Sequence, residues 1–128
     1  MWYNLTIRTP YDPQSLAADV HVPPSSLWFS GHFPGNPILP GVAQLGMVFD
    51  VIRHAFDDSV RVVEVSRVRF KQMILPDDRL VVTAEARTGR DGAFAFRIIK
   101  GEALVCSGTM AVAATADTDL NEHVKGEQ

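Results

Sequence analysis

Cysteine is almost missing from this chain. The single Cys106 excludes a disulfide framework, and no cysteine–histidine cluster has the spacing of a zinc site. An excess of positive charge is missing too. Twelve Lys and Arg stand against 15 Asp and Glu, for a net charge of −3, which excludes a general nucleic-acid binder but not a local basic patch. No apolar run reaches the length of a membrane span. Met1-Trp2-Tyr3-Asn4 carries no basic segment ahead of an apolar core, so no signal peptide is expected. The expectation is a reduced, cytoplasmic setting with no metal and no cofactor. What is present is ordinary: 128 residues, 46% hydrophobic and 21% charged, the proportions of one globular domain. A chain of this size buries roughly two-thirds of its unfolded surface.

The hydrophobic pattern is mostly of period two. Leu16, Ala18, Val20 and Val22 alternate with small or polar residues and read as a strand that Pro23-Pro24 stops. Residues 60–70 are valine-rich. Residues 79–87 place Leu80, Val82, Ala84 and Ala86 on one face, and Phe94, Phe96 and Ile98 mark the next strand. Residues 104–114 place Cys106, Gly108, Met110 and Val112 on one face of a last strand. Only residues 42–56 follow helical spacing, through Val42, Leu45, Phe49, Ile52 and Phe56. Met47, Val48 and Val51 make further sides of that helix apolar, so it must be covered on most sides. One buried helix and a meander of antiparallel strands imply an α+β fold, with a curved sheet wrapped around the helix in a domain of residues 1–115. Residues 116–128 lack periodicity and read as a loose tail.

Residues 30–41 interrupt this pattern with three prolines and three glycines in twelve positions, a density neither a helix nor a ladder strand accepts. The segment is a loop, yet Phe33, Ile38 and Leu39 give it an apolar side. A rigid, inward-packed loop is a natural place for chemistry.

The run His32-Phe33-Pro34-Gly35-Asn36-Pro37-Ile38-Leu39-Pro40-Gly41-Val42 resembles the signature of the 3-hydroxyacyl-acyl carrier protein dehydratases of fatty acid synthesis. Gln44, close behind Pro-Gly-Val, is similar to a branch linked to aryl polyene pigment synthesis. Val68-Arg69-Phe70-Lys71 and residues 74–80 resemble the stretch those enzymes carry after the helix. The resemblance covers roughly residues 15–114 in element order and implies the hot-dog fold, with sites built across a dimer. It assigns His32 as the base for the C2 proton, a role an imidazole suits because it titrates near neutrality. The Gly41 amide, at the start of the helix, would polarise the thioester carbonyl, and the Ile38 carbonyl would orient the imidazole. The implied substrate is a thioester of acyl carrier protein or coenzyme A, its chain held in an apolar channel lined by Phe33, Leu39 and helix residues near Gly46.

The match fails at the acid. Relatives carry a Glu or Asp fourteen residues after the histidine, and here that position is Gly46. Glycine in a helix interior costs about 1 kcal/mol relative to alanine, which points to close packing against the sheet or a second chain. Asp50, one turn on and on the same face, is the only carboxylate of the helix and the first candidate acid, although Arg53 and His54 lie within its reach at i+3 and i+4. Arg67, Arg69 and Lys71, spaced by two, are candidates to receive an acidic carrier and its phosphate. Three readings stay open: a dehydratase, homodimeric or mixed; a non-catalytic or half-site partner subunit; and a thioesterase.

Overall fold

The computed structural model describes residues 2–29 and 37–115. His32, Phe33 and residues 116–128 lie outside the described residues. Six strands form one antiparallel sheet: β1 (Asn4–Ile7), β2 (Ser15–His21), β3 (Val60–Phe70), β4 (Arg79–Ala86), β5 (Ala93–Lys100) and β6 (Ala103–Ala114). Their spatial order is β1-β2-β4-β5-β6-β3. The helix α1 (Gly41–Ile52) packs on the concave face, chiefly against β4 and β2.

The expected helix over 42–56 is shorter than its periodicity. It ends at Ile52 and a 3-10 turn, Arg53–Ala55, finishes the apolar stripe. A 3-10 turn keeps the i,i+3 spacing, so the sequence pattern runs on past the α-helix.

Alternation sorts the strand side chains. Leu16, Ala18 and Val20 on β2, Leu80, Val82 and Ala84 on β4, Phe96 and Ile98 on β5, and Cys106 and Met110 on β6 are buried against Ala43, Met47, Val48, Val51 and Ile52 of α1. Gly108 is part of that packing. It pairs with Phe96, whose ring occupies the space where a Cβ would sit, 2.7 Å from Cζ.

One side of α1 is not covered by its own chain. Val42 is 68% exposed, and Gly46 is exposed on the same side. At the far edge of the sheet β3 also shows apolar side chains, Val62, Val63 and Val65 among them. An edge strand of eleven residues leaves one row of backbone N–H and C=O groups unpaired by the sheet.

Candidate active site

The site grows from the way the chain enters α1. Pro40 stands before the helix in an extended conformation (φ −68°, ψ 157°) and supplies no side-chain cap. Its carbonyl accepts from Ala43 N at 3.1 Å and Gln44 N at 3.2 Å. The amides of Gly41 and Val42 have no backbone acceptor among the described residues. They point along the positive end of the helix dipole, where a carbonyl oxygen gaining negative charge is stabilised. Leu39 N donates to Ile74 O at 2.9 Å, which pins the entry segment to the crossover between β3 and β4. No backbone amide among the described residues donates to the Ile38 carbonyl.

A bulge in β3 completes this corner. Ser66 pairs with Thr109 and Arg69 with Ser107, so three steps on β3 match two on β6, and Arg67 takes a positive φ of 57°. Val65, opposite Met110, faces the concave side. Five residues of plain alternation would put Phe70 on the opposite side; the extra residue returns it to the concave side, opposite Cys106. There its ring covers Gly41, with Cζ 2.7 Å from the position a Cβ would take. Glycine at 41 thus lets an aromatic ring lie against the start of the helix, a contact that period-two reading cannot find.

The same bulge sets the face of the basic residues. Arg67 and Arg69 share a face, as their spacing of two expects, and the bulge makes that face the convex one; Lys71 lies beyond the end of the strand with its amide bound to Val105 O at 2.7 Å. All three side chains are exposed. Arg67 borders a convex depression with Arg87, Arg97 and Glu85.

Gly46 does not mark tight packing within the chain. A Cβ built there meets nothing within 4 Å among the described residues. Leu39 is buried in the core and Ile38 half-buried.

Asp50 stands nine residues beyond Gly41, about 13 Å along the helix axis. Its carboxylate is engaged on both oxygens. Oδ2 accepts the Tyr3 hydroxyl at 2.5 Å, and Oδ1 pairs with Arg53 Nη2 at 3.2 Å. Burial first, and the Asp50 hydrogen bond second, raise the Tyr3 phenol well above its ordinary value. Arg53 also lies over the Phe49 ring, 5.6 Å from its centroid, and His54 Nδ1 is 2.8 Å from the Asp50 carbonyl. The link to Tyr3 spans 47 residues, and no local pattern announces it.

Gln44 is the other polar side chain of the corner. It is 3% exposed; its Nε2 donates to the Leu39 carbonyl at 3.2 Å, while its Oε1 is buried without a partner among the described residues.

The family model of the ApeI-like dehydratases, described as ApeI dehydratase, matches residues 8–109. Similar relatives are 3-hydroxyacyl-[acyl-carrier-protein] dehydratases FabZ. That of Syntrophomonas wolfei is 36% identical over 90 residues, 63% of this chain and 62% of that protein. That of Caldicellulosiruptor bescii is 35% identical over 96 residues, 67% of this chain and 68% of that protein. The chain thus spans about two-thirds of the length of these relatives, slightly less for the first. Among solved structures, the dehydratase heterocomplex ApeI:P from Xenorhabdus doucetiae superposes with a TM-score of 0.76 at 21% identity, covering 88% of this chain and 99% of that one. A hypothetical thioesterase protein with coenzyme A from Streptococcus pneumoniae gives 0.64 at 16% identity, covering 87% of each. These likenesses establish the hot-dog fold.

Proposed function

Because the chain belongs to the ApeI-like dehydratase family, we propose that it forms the histidine-bearing half of a two-chain dehydratase for 3-hydroxyacyl thioesters. His32 takes the C2 proton. The Gly41 amide holds the thioester oxygen as charge builds on it, and the Ile38 carbonyl fixes the imidazole. The C3–O bond breaks as the C2=C3 bond forms, and a protonated carboxylic acid from a second hot-dog chain gives its proton to the departing hydroxyl, which leaves as water. Phe33, Leu39 and the open ground beside Gly46 serve the acyl chain, which gains about 0.8 kcal/mol for each methylene it buries. Arg67, Arg69 and Lys71 face the acidic carrier protein or the phosphates of coenzyme A.

The observation that carries this reading is the contrast between Gly46 and Asp50. The family's carboxylate position carries no side chain and faces none of the described residues within 4 Å, while the helix's own carboxylate is held by Tyr3 and Arg53. The apolar edge of β3 and the uncovered side of α1 offer the second chain its seat, and the related ApeI:P structure is a heterocomplex. A homodimer using Asp50 as the acid is the second reading, favoured by the i,i+4 relation of Asp50 to Gly46; it requires the carboxylate to leave both partners.

The test is hydration of a crotonoyl thioester by the purified chain, alone and mixed with a carboxylate-bearing hot-dog dehydratase whose own histidine is replaced. Turnover is expected in the mixture, and His32→Ala should abolish it. Full activity of the chain alone, or an inert mixture with proven pairing, would overturn the half-site reading.

A further inference from the structure

The Gln44 amide is an anomaly of the core. It begins the buried stripe of α1 that continues through Met47, Val48 and Val51, positions that otherwise take apolar residues. A buried amide oxygen without a donor costs about 1–3 kcal/mol, so a leucine or methionine would serve packing better. The other end of the amide is fixed: Nε2 donates to the Leu39 carbonyl at 3.2 Å, which settles which end is oxygen. Oε1 is sealed from solvent and has no partner among the described residues. No described group donates to it, which leaves the acceptor open to a donor carried by a bound molecule.

The location narrows the donor. Gln44 lies three residues into the helix beyond Gly41, about 4.5 Å along the axis, and helical side chains tilt back toward the N-terminus. The contact with Leu39 places the amide head beside the entry turn. That corner therefore presents a donor, the Gly41 amide, and an acceptor, the Gln44 oxygen, neither with a partner among the described residues. A 3-hydroxyacyl thioester presents the complement: an acceptor at its carbonyl and, two carbons away, a hydroxyl donor.

We propose that Gln44 Oε1 is the acceptor that reads the 3-hydroxyl of the substrate, making Gln44 a specificity-determining residue for hydroxylated over unsubstituted acyl chains. The inference rests on the dehydratase reading above. The hydroxyl gives its proton to Oε1 in a hydrogen bond and keeps its lone pairs free for the acid. After elimination the released water can take the same place, so the acceptor is satisfied on both sides of the reaction. A site built around a hydroxyl discriminates through the polar group left unpaired when the hydroxyl is missing.

The test is calorimetric binding of two unreactive pantetheine amides, 3-hydroxybutyryl and butyryl, to the full chain alone and mixed with the carboxylate-bearing partner. The wild type should bind the hydroxylated probe about tenfold more tightly. Gln44→Met, close in shape but without an acceptor, should bind both probes equally, at the affinity of the wild type for butyryl. A preference that survives in Gln44→Met overturns the proposal and leaves the dehydratase reading standing. A wild type without preference overturns it in the same way, whether or not the variant folds. Binding of neither probe, alone or in the mixture, overturns both.

Discussion

Replacing Tyr3 by phenylalanine removes one hydroxyl and decides whether Asp50 belongs to the scaffold. Tyr3 is buried, and its hydroxyl donates to Asp50 Oδ2 at 2.5 Å. A hydrogen bond to a carboxylate contributes about 1.5–3 kcal/mol. The Asp50 side chain is 21% exposed and keeps Arg53, so water and the guanidinium recover part of the loss. A cost near the lower end, about 1.5–2 kcal/mol, is expected. For a domain of this size that lowers the melting temperature by roughly 5–8 °C. Urea unfolding should be followed at fixed protein concentration, since pairing of chains shifts apparent stability. Asp50→Asn should cost a similar amount, and the double variant should reveal a coupling of about 1–2 kcal/mol between the two side chains. Turnover per folded molecule in the mixed dimer should stay within about threefold for both, because a positioned acid would account for 10²- to 10⁴-fold. The reasoning is refuted if Tyr3→Phe costs less than about 0.5 kcal/mol. It is refuted equally if Asp50→Asn lowers turnover a hundredfold while stability is untouched.

Two glycines should respond in opposite directions. Gly46→Ala meets open space and should stabilise by about 1 kcal/mol through helix propensity, whereas Gly108→Ala drives a methyl into the buried Phe96 ring and should destabilise by about 1–3 kcal/mol; chemical denaturation reads both. Alkaline pH should weaken the fold. Burial pushes the Cys106 thiol from 9.0 up to about 11 and raises the Tyr3 phenol above 10.0. The folded chain keeps these protons where the unfolded chain has lost them, so stability is whole below pH 9 and falls as pH rises. Cys106→Ala should flatten the urea-midpoint curve between pH 9.0 and 10.0, leaving the Tyr3 limb above it.

Much of the architecture was legible because burial writes itself at fixed periods. The alternation of Leu80, Val82 and Ala84 and that of Cys106, Gly108 and Met110 required a sheet with one wet face, and the apolar girth of residues 42–52 required a cover. The Pro- and Gly-rich run before Gly41 marked the helix entry, whose amides and Leu39 carbonyl form the corner described above. Three features escaped for physical reasons. The helix ends at Ile52 because a 3-10 turn continues the same stripe. The bulge after Ser66 changes which face Phe70 and Arg69 take, and nothing in a period of two announces an extra residue. The Tyr3–Asp50 bond joins residues 47 apart in the chain, so only the tertiary structure brings it into view. The reading of Gly46 as a packing glycine assumed that its missing side chain served a close contact; against its own chain it leaves space.

That space supports the most direct test of the central claim, that this chain lacks an acid of its own. The measurement is the initial rate of crotonoyl-thioester hydration by the homomeric chain carrying Gly46→Glu, set against the wild type. Among the described residues nothing within 4 Å obstructs the first carbon of the new side chain. The wild type should stay near background, and with the family's carboxylate restored the variant should gain at least about a hundredfold, the lower end of what a positioned acid contributes. A wild type that already turns over well, with Gly46→Glu adding nothing, would contradict that claim.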